Sequence, residues 1–475
     1  MTATMQQEAA TLEKKGISAA EAVQRQRTWF ATGQSLDAGF RIAQLKKLRA
    51  LIDAHEQEIM DALKEDLGKS QFESFATEIG MSLNPIDHAI KNIPRWTKPK
   101  SVPTPLFHFV GSSKIYSDPY GVTLIISPWN YPFQLAVSPL SGAIAAGNTC
   151  IIKPSEVAPA TSRILAKLIN PNFDPGFLYV LEGGVEATTD LLKEKFDYIL
   201  FTGGTAIGKV VYEAAAKHLT PVTLELGGKS PCIVDKDINL TIAARRITWG
   251  KLINSGQTCV APDYLYVHKD VKASLVEAIK KEIQGFYGDS PIRNDEYGKI
   301  INRRHFDRLR TYLGEGNILH GGKSDDQSLK IEPTIVDGLS ADSALLQEEI
   351  FGPILPVIEF TDVKEVVRYV NARPKPLALY VFSNDTDFQD KILQNTSSGG
   401  VSINDTVMHM TGESMPFGGV GDSGIGAYHG QSSFDTFSHK KAVLKRTFWP
   451  DAPLRYPPYD KISLKSLKFM ISKLL

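Results

Sequence analysis

The chain has 475 residues, of which 42% are hydrophobic and 22% charged, the composition of a soluble globular protein with two or three domains. Lysine plus arginine and aspartate plus glutamate each total 53, and this zero net charge argues against a nucleic-acid partner. Its three cysteines, Cys150, Cys232 and Cys259, fit neither a disulfide framework nor zinc-ligand spacing, so we expect no metal site.

The sequence has neither a signal-peptide pattern nor a membrane-spanning run. Residues 1–16 are polar and have no apolar core of the kind that a signal peptide needs. No run of about 18 apolar residues occurs, which argues against a spanning helix. Together with the low cysteine count, these features lead us to expect a cytoplasmic protein.

Residues 17–67 have a helical pattern. Residues 38–66 carry apolar side chains at three- and four-residue steps, and residues 73–93 form a second helical stretch. Four prolines between residues 94 and 106 predict an irregular crossing there.

Between residues 120 and 226, short apolar runs alternate with helical stretches. The runs are residues 122–126, 149–152, 177–181, 198–201 and 222–224. This alternation predicts a parallel, doubly wound α/β sheet, and ligands bind such sheets beyond the carboxyl ends of the strands. Asn130, Lys153, Gly203 and Glu225 follow four of the runs, so we expect an amide, an ammonium group, a glycine turn and a carboxylate along one sheet edge.

Residues 227–400 again mix strand and helix patterns and predict a second α/β domain. Within it, a polar turn with Gly256 precedes Cys259 and separates a helical stretch from an apolar strand. A thiol on such a loop can face a cleft, where a modest local field would activate it as a nucleophile. The alternative for Cys259 alone is a small buried hydrophobe, the usual state of free cysteine.

Two further segments have the residues of a dinucleotide site. Residues 201–208 join a strand to a helix in the pattern G-x-T-x-x-G, which lets the backbone approach a pyrophosphate. A tight strand-to-helix turn without a ligand is the alternative. Lys153 and Glu156, after another strand, are long enough to reach ribose hydroxyls, and the alternative there is a solvated lysine beside a capping serine.

Three polar residues complete a candidate catalytic set. Glu225 is flanked by leucines at a strand end, where desolvation would raise its pKa towards that of a general base; the alternative is an ion-paired core glutamate. Asn130 ends the sequence SPWN and offers an amide donor to a developing oxyanion, or else forms an Asx turn. Glu349 is suited to hold a second ribose, or is an exposed loop charge.

The order and spacing of six motifs resemble the aldehyde dehydrogenase superfamily over nearly the whole chain. The motifs are PWN at 128–130, KPSE at 153–156, FTGGTAIG at 201–208, LELGGKSP at 224–231, GQTC at 256–259 and EEIFGP at 348–353. Within the superfamily, PFGGVG at 416–421 and YHG at 428–430 resemble the class 3 and fatty aldehyde dehydrogenase branch.

The resemblance implies an α/β fold with a doubly wound parallel-sheet cofactor domain, a second α/β catalytic domain and a small bridging arm that dimerises. The expected parts are 1–98 and 120–224 for the dinucleotide-binding domain, 225–408 for the catalytic domain, 99–119 and 409–450 for the arm, and 451–475 for an amphipathic tail. A homodimer is therefore expected.

The resemblance also implies a role for each site residue. Cys259 would be the nucleophile, Glu225 the general base, and Asn130 with the backbone N–H of Cys259 the oxyanion hole. Cofactor contacts are expected from Lys153, Glu156, Gly203, Gly204, Thr205, Gly208, Glu349 and Phe351. The aldehyde tunnel is expected to be lined by Tyr131, Trp249, Thr258, Thr411 and Phe417.

The implied reaction is NAD(P)-dependent oxidation of a medium- or long-chain aliphatic, or an aromatic, aldehyde to a carboxylic acid through a cysteine thioester. NAD is the expected cofactor because Glu156 would repel a 2′-phosphate, and NADP is also expected to be usable because the flexible Lys153 could offset that repulsion. Two alternatives stay open. One is an acylating aldehyde dehydrogenase that passes the acyl group to CoA or phosphate, and the other is a non-catalytic protein on the same fold.

The segment 461–475 has an amphipathic pattern. Its leucines, Met470 and Ile471 fall on one helical face, and four lysines fall away from it. The segment is too short to span a bilayer but suits an interfacial helix, so we expect peripheral contact with anionic lipid. The alternative is a helix that docks on its own subunit or its dimer partner, over the tunnel mouth.

Overall fold

A computed structural model describes residues 17–105, 108, 110–451, 455–460 and 462–474. The expectation for residues 1–16 and the contributions of Lys461 and Leu475 to the tail lie outside the described residues. The strands are β1 (Lys100–Val102), β2 (Ser112–Pro119), β3 (Val122–Ile126), β4 (Thr149–Lys153), β5 (Leu178–Val180), β6 (Tyr198–Thr202), β7 (Val222–Glu225), β8 (Pro231–Val234), β9 (Tyr264–His268), β10 (Asn317–His320), β11 (Ser324–Asp325), β12 (Lys330–Ile331), β13 (Thr334–Asp337), β14 (Ile354–Phe360), β15 (Ala378–Phe382), β16 (Gly400–Ile403), β17 (Gly424–Ile425) and β18 (Ser438–Lys445).

The helices of the same residues are α1 (Ala19–Phe30), α2 (Ala38–Ala54), α3 (Glu56–Leu67), α4 (Gln71–Ser74), α5 (Gly80–Trp96), α6 (Gln134–Ala146), α7 (Pro159–Ile169), α8 (Val185–Lys193), α9 (Thr205–Ala216), α10 (Leu240–Leu252), α11 (Lys269–Tyr287), α12 (Arg303–Tyr312), α13 (Ala344–Gln347), α14 (Val363–Asn371), α15 (Thr386–Asn395), α16 (Gly430–Thr436) and α17 (Leu464–Leu474). None of these helices combines the length and the apolar character needed to cross a bilayer.

The N-terminal helices begin at side-chain caps. Ser18 and Asp37 accept backbone N–H groups of the first turns of α1 and α2, at 3.2 and 2.7 Å. The helical pattern of residues 38–66 is interrupted at His55, whose φ of −119° ends α2 before α3 begins. Helix α5 includes Pro94 and ends at Trp96, so the irregular crossing starts at Thr97, three residues later than the first proline indicated.

The six-stranded sheet is the doubly wound sheet that the sequence predicts. Its order is β17-β7-β6-β3-β4-β5, with β3 to β7 parallel and only β17 antiparallel to its neighbour. The chain runs outward from β3 to β5 and then returns to β6 on the other side of β3. The loops after β3 and β6 therefore separate at a topological switch point, where ligands bind in open α/β sheets.

A seven-stranded sheet forms the second α/β unit. Its order is β10-β13-β14-β9-β8-β15-β16, and β10 at the edge is the antiparallel member. Strand β7 ends at Glu225 and β8 begins at Pro231, so residues 226–230 carry the chain from one sheet to the other. Glu225 consequently lies where the two sheets meet.

A three-stranded antiparallel sheet, β1-β2-β18, lies within residues 99–119 and 409–450, the ranges in which the family resemblance implies an arm. Strand β18 pairs along its full length with β2, from Ser438 opposite Pro119 to Lys445 opposite Ser112. Within the same predicted range, β17 instead extends the six-stranded sheet by pairing Gly424 with Glu225. The exact domain boundaries therefore stay a prediction.

Candidate active site

The turn before Cys259 has a strained backbone that hydrogen bonds hold in place. Asn254, Ser255 and Gly256 have φ values of 52°, 53° and 76°. A left-handed conformation costs a non-glycine residue roughly 1–2 kcal/mol. The backbone N–H of Asn254 donates to Glu73 Oε1 at 2.6 Å, and the Gln257 side chain donates to the Asn254 carbonyl at 3.1 Å. These bonds fix the turn that directs Cys259 towards the junction of the two sheets.

Cys259 opens onto a cavity of about 260 Å³ at that junction. The predicted catalytic residues Cys259, Glu225 and Asn130 all line it. So do four predicted cofactor residues, which are Gly203, Gly204, Glu349 and Phe351. The structure thus brings together seven of the sixteen predicted site residues around one cavity.

Cys259 is half-buried, and its surroundings favour the neutral thiol. Burial, followed by the charges of Glu349 and Glu225, raises the pKa of the thiol to about 12, against the opposing effect of the backbone N–H groups of Cys259 and Val260. Activation of the thiol by its local field therefore stays a prediction, and the surroundings seen here act in the opposite direction. Burial is the main physical reason, and the charges of Glu349 and Glu225 add to it.

Glu225 is a buried carboxyl group without a partner. Burial raises its pKa well above the usual range, the direction that its position between leucines predicts. Neither oxygen has a hydrogen-bond partner among the described residues. The alternative of an ion-paired core glutamate is therefore wrong, and the group is free to act on a proton in the cavity.

Asn130 is fixed by bonds to the turn that carries Cys259. Its Nδ2 donates to the carbonyl of Gln257 at 3.0 Å, which leaves the second amide hydrogen available. The backbone carbonyl of Asn130 accepts from Asn254 Nδ2 at 2.7 Å and from Lys69 Nζ at 3.3 Å. These contacts set the orientation of an amide donor in the wall of the cavity.

The glycine turn after β6 opens helix α9 with little side-chain bulk. Gly204 is the N-cap residue, and a Cβ atom there would meet nothing within 4 Å. Gly208 packs on Leu226, whose Cδ2 lies 2.6 Å from where a Cβ atom would stand, so glycine brings the helix close to the residue that follows β7. Thr205 donates to the carbonyl of Asp422 at 3.3 Å. The open side of Gly204 lets a ligand approach the first N–H groups of α9.

Lys153 and Glu156 form a pair at the end of β4. Lys153 Nζ donates to the Pro154 carbonyl at 2.6 Å and to Glu156 Oε2 at 3.3 Å. Lys153 is buried, whereas Glu156 is exposed, and neither lines the cavity that contains Cys259. The end of β4, next to β3 in the sheet, therefore carries one buried cation and one accessible carboxylate.

Glu349 is held in the cavity wall by hydrogen bonds from other segments of the chain. Oε1 accepts the backbone N–H of Gly228 at 3.1 Å, and burial raises the pKa of the carboxyl group to about 8. Lys229 donates to the carbonyl of Glu348 at 2.7 Å, while Asp263 accepts the N–H of Ile350 at 3.0 Å. The alternative of an exposed loop charge is wrong, because the residue is half-buried and tethered.

Helix α12 contributes two cavity residues that the sequence patterns did not indicate. His305 and Arg308 are three residues apart and both line the cavity. The His305 ring lies 4.8 Å from the Trp129 ring, and burial lowers its pKa to about 4. Arg308 Nη2 donates to the carbonyl of Ile350 at 2.7 Å. Only their i, i+3 spacing could have indicated that they act together, because it places both residues on one helix face.

The predicted tunnel residues divide into two groups. Tyr131 and Thr258 meet beside Cys259, with 2.6 Å between the hydroxyl of Tyr131 and Oγ1 of Thr258. Phe417 is buried and stacks on His429 at 5.2 Å, Trp249 is 39% exposed, and Thr411 caps the turn Met408–Met410. No member of either group lines the cavity described above, so a tunnel through all five stays a prediction.

The sequence pattern of the aldehyde dehydrogenase family matches residues 2–443. The chain belongs to the aldehyde dehydrogenase family. Its activity is therefore that of an oxidoreductase that acts on aldehydes with NAD or NADP. Among the described residues, this aldehyde dehydrogenase has no group of three His, Cys, Asp or Glu side chains placed to hold a metal ion.

Several known aldehyde dehydrogenases are similar over nearly their whole length. Aldehyde dehydrogenase family 3 member A2 of Rattus norvegicus is 45% identical over 95% of this chain and 94% of that protein. Aldehyde dehydrogenase, dimeric NADP-preferring, of Rattus norvegicus is 46% identical over 93% of this chain and 98% of that protein. A solved structure of the substrate-bound state of Staphylococcus aureus AldH has a TM-score of 0.94 and 46% identity, covering 96% of this chain and 100% of that chain.

These similarities confirm three predictions made from the sequence. The family, including the class 3 branch, the α/β fold and the oxidation of aldehydes agree with the relatives and with the solved structure. The roles of individual residues in this aldehyde dehydrogenase stay predictions, to which the geometry of the cavity adds physical support.

Proposed function

We propose that this aldehyde dehydrogenase oxidises medium- and long-chain apolar aldehydes, aliphatic or aromatic, to free carboxylic acids through a thioester on Cys259, with NAD as the preferred cofactor. One observation supports this most directly: Cys259, the unpartnered Glu225 and the fixed amide of Asn130 line the same cavity at the junction of the two sheets. The cavity provides a nucleophile, a proton acceptor and an oxyanion donor together.

The first step is attack by Cys259 on the aldehyde carbon. The raised pKa of the thiol means that it must lose its proton before it reacts, because the thiolate is the nucleophile. The backbone N–H groups of Cys259 and Val260 stabilise that thiolate. The second amide hydrogen of Asn130, with the N–H of Cys259, would then stabilise the oxyanion of the thiohemiacetal.

The residues around the glycine turn fit a nicotinamide dinucleotide. The open side of Gly204 and the uncapped N–H groups of α9 suit a pyrophosphate, and Glu349 Oε2 is free to accept a ribose hydroxyl. Lys153 and Glu156 would hold the adenine ribose. When bound, the dinucleotide supplies the hydride acceptor for the carbon attached to Cys259. The accessible carboxylate of Glu156 favours NAD by repelling a 2′-phosphate.

Hydrolysis of the acyl group on Cys259 completes the reaction. Glu225 would accept a proton from water as the water attacks the thioester, which releases the carboxylic acid and restores the thiol. A free buried carboxyl group is suited to this step, because desolvation increases its affinity for a proton. The presence of Glu225 as a base for water also argues against an acylating enzyme, which would pass the acyl group to CoA or phosphate instead of water.

The length of the aldehyde chain tests this proposal. We expect kcat/KM to rise from acetaldehyde to medium- and long-chain aldehydes, since each buried methylene contributes about 0.8 kcal/mol, or roughly a fourfold gain. The assay follows NADH and NADPH formation with a panel of aldehydes and identifies the product by chromatography. Free acid is expected with or without CoA. A kcat/KM that is flat or falls with chain length would contradict the substrate class, and acyl-CoA as the main product would contradict hydrolysis.

We also propose a homodimer joined through the three-stranded arm. The long edge strand β18 presents unpaired backbone groups, with Leu444 46% exposed, and one relative is named as dimeric. The cytoplasm is the proposed location, with a peripheral membrane contact made by the C-terminal tail.

The C-terminal helix α17 supports the membrane contact. Leu464, Phe469 and Ile471 are 66%, 65% and 49% exposed, and Lys465 and Lys468 are also exposed. Exposed apolar side chains alternating with lysines suit the interface of an anionic bilayer, where the apolar side chains enter the acyl region and the lysines meet the headgroups. An apolar aldehyde dissolved in a membrane would then be within reach of the enzyme.

Vesicle co-sedimentation tests the tail. We expect the full chain to sediment with phosphatidylserine-containing vesicles at low salt and to be released at high salt, because the lysines carry much of the attraction. A chain that ends at Asp460 should remain in the supernatant, and neutral phosphatidylcholine vesicles are the control for charge. If the full chain also stays in the supernatant at low salt, the tail instead docks on the protein, and its deletion should change long-chain aldehyde kinetics without lipid.

A further inference from the structure

Residues 69–79 bring charged side chains into the protein interior although none of them lines the cavity with Cys259. Lys69 is 1% exposed and Glu78 is 0% exposed. Burying a charge is costly unless it is paired and hydrogen-bonded. Glu78 lies in the π-helical turn Phe75–Ile79, a form of turn that recurs at functional sites.

Lys69 and Glu78 bind the loop after β3 at residues that precede and follow Tyr131 in the sequence. Lys69 Nζ lies 2.5 Å from Glu78 Oε1, donates to the Asn130 carbonyl at 3.3 Å and sits 4.0 Å from the centre of the Tyr131 ring. Glu78 Oε2 accepts the N–H groups of Phe133 and Gln134 at 3.1 and 2.9 Å. One ion pair therefore fixes the carbonyl before Tyr131 and the first amides of α6 after it.

The same segment also reaches the turn that carries Cys259. Glu73 accepts the backbone N–H of Asn254, and Asn254 Nδ2 in turn donates to the Asn130 carbonyl. The Asn130 carbonyl is thus the shared acceptor of Lys69 and Asn254. Residues 69–79 therefore form hydrogen bonds both to the loop of Asn130 and to the turn of Cys259.

We propose that Lys69 and Glu78 are positioning residues that set the distance and angle between the Asn130 amide and the Cys259 sulfur. This inference rests on the proposed roles of Asn130 and Cys259. It assigns to the N-terminal helical layer a function in catalysis that acts through the position of Asn130. A displacement of about 1 Å at a reacting centre costs roughly 100-fold in rate, so a small shift of this loop has a measurable effect.

Lys69→Met tests the proposal in two backgrounds. In the otherwise unmodified enzyme, we expect kcat to fall by about 10- to 100-fold with little change in the KM for NAD. Asn130→Ala should itself lower kcat by about 10²- to 10³-fold. Adding Lys69→Met to Asn130→Ala should then have little further effect, because a residue that acts through Asn130 has nothing left to position.

Two further variants separate positioning from stability. Arg41 is a buried cation that donates to the Ala145 carbonyl at 3.1 Å, at the opposite end of α6, so Arg41→Met should lower Tm with little effect on kcat. The pair Lys69→Met with Glu78→Gln removes the uncompensated charge and should recover Tm but not kcat. If Lys69→Met alone does not fold, this pair replaces it in both backgrounds.

Two results would overturn the inference. One is an equal loss of kcat from Lys69→Met with and without Asn130→Ala, and the other is recovery of kcat along with Tm in the charge-neutral pair. Failure of the proposed function is distinguishable, because it would appear as absent aldehyde oxidation in the unmodified protein.

Discussion

Replacing Cys259 with alanine is expected to lower kcat for aldehyde oxidation by a factor on the order of 10⁶, the loss seen when the nucleophile of an acyl-enzyme mechanism is removed. Cys259 is the only one of the three cysteines that is not fully buried. No other thiol among the described residues lines the cavity, so no neighbour can replace it. The measurement is NADH formation with an apolar aldehyde.

Cofactor binding separates loss of chemistry from loss of structure. Fluorescence titration with NADH should give nearly the same Kd for Cys259→Ala and the unmodified enzyme, because the sulfur is not among the proposed dinucleotide contacts. Cys232→Ala is the matched control, since Cys232 is buried in β8 away from the cavity and should affect Tm more than kcat. Substantial dehydrogenase activity in Cys259→Ala would rule out the thioester mechanism.

The sheet and the edge that carries the site were predictable from local patterns. Parallel strands buried on both faces give short continuous apolar runs, and the residues that follow them mark the carboxyl ends. Strand β6 differs from the predicted run 198–201 by one residue, and β7 extends the run 222–224 to include Glu225. Local pattern and topology together therefore placed Asn130, Gly203 and Glu225 at one edge.

The electrostatics of the site could not be predicted from local patterns because they depend on distant residues. The pKa of Cys259 is raised by burial and by Glu349 and Glu225, and these three residues come from separate parts of the chain. The pairing of Lys69 with Glu78 has the same origin, since a helical pattern does not show which charges turn inward. Contacts between residues far apart in the sequence determine both, and no short motif encodes them.

Replacing Glu225 with glutamine is expected to separate the two halves of the reaction. The amide cannot accept a proton from water, so thioester hydrolysis should slow by about 10²- to 10⁴-fold, the usual contribution of a general base. Acylation should continue, because the substitution removes a negative charge that raises the pKa of Cys259. Stopped-flow measurements should therefore show a burst of NADH close to one equivalent per site, followed by a slow steady state.

The pH dependence adds an independent test of the base. Because burial raises the pKa of Glu225, hydrolysis by the unmodified enzyme should accelerate with rising pH as the carboxyl group ionises, whereas Glu225→Gln should lose that dependence. Glu349→Gln is the matched comparison, since it removes the other carboxylate that raises the pKa of Cys259. It should weaken cofactor binding without producing a burst. If burst and steady state fall equally in Glu225→Gln, Glu225 acts before acylation, as the group that takes the proton of Cys259.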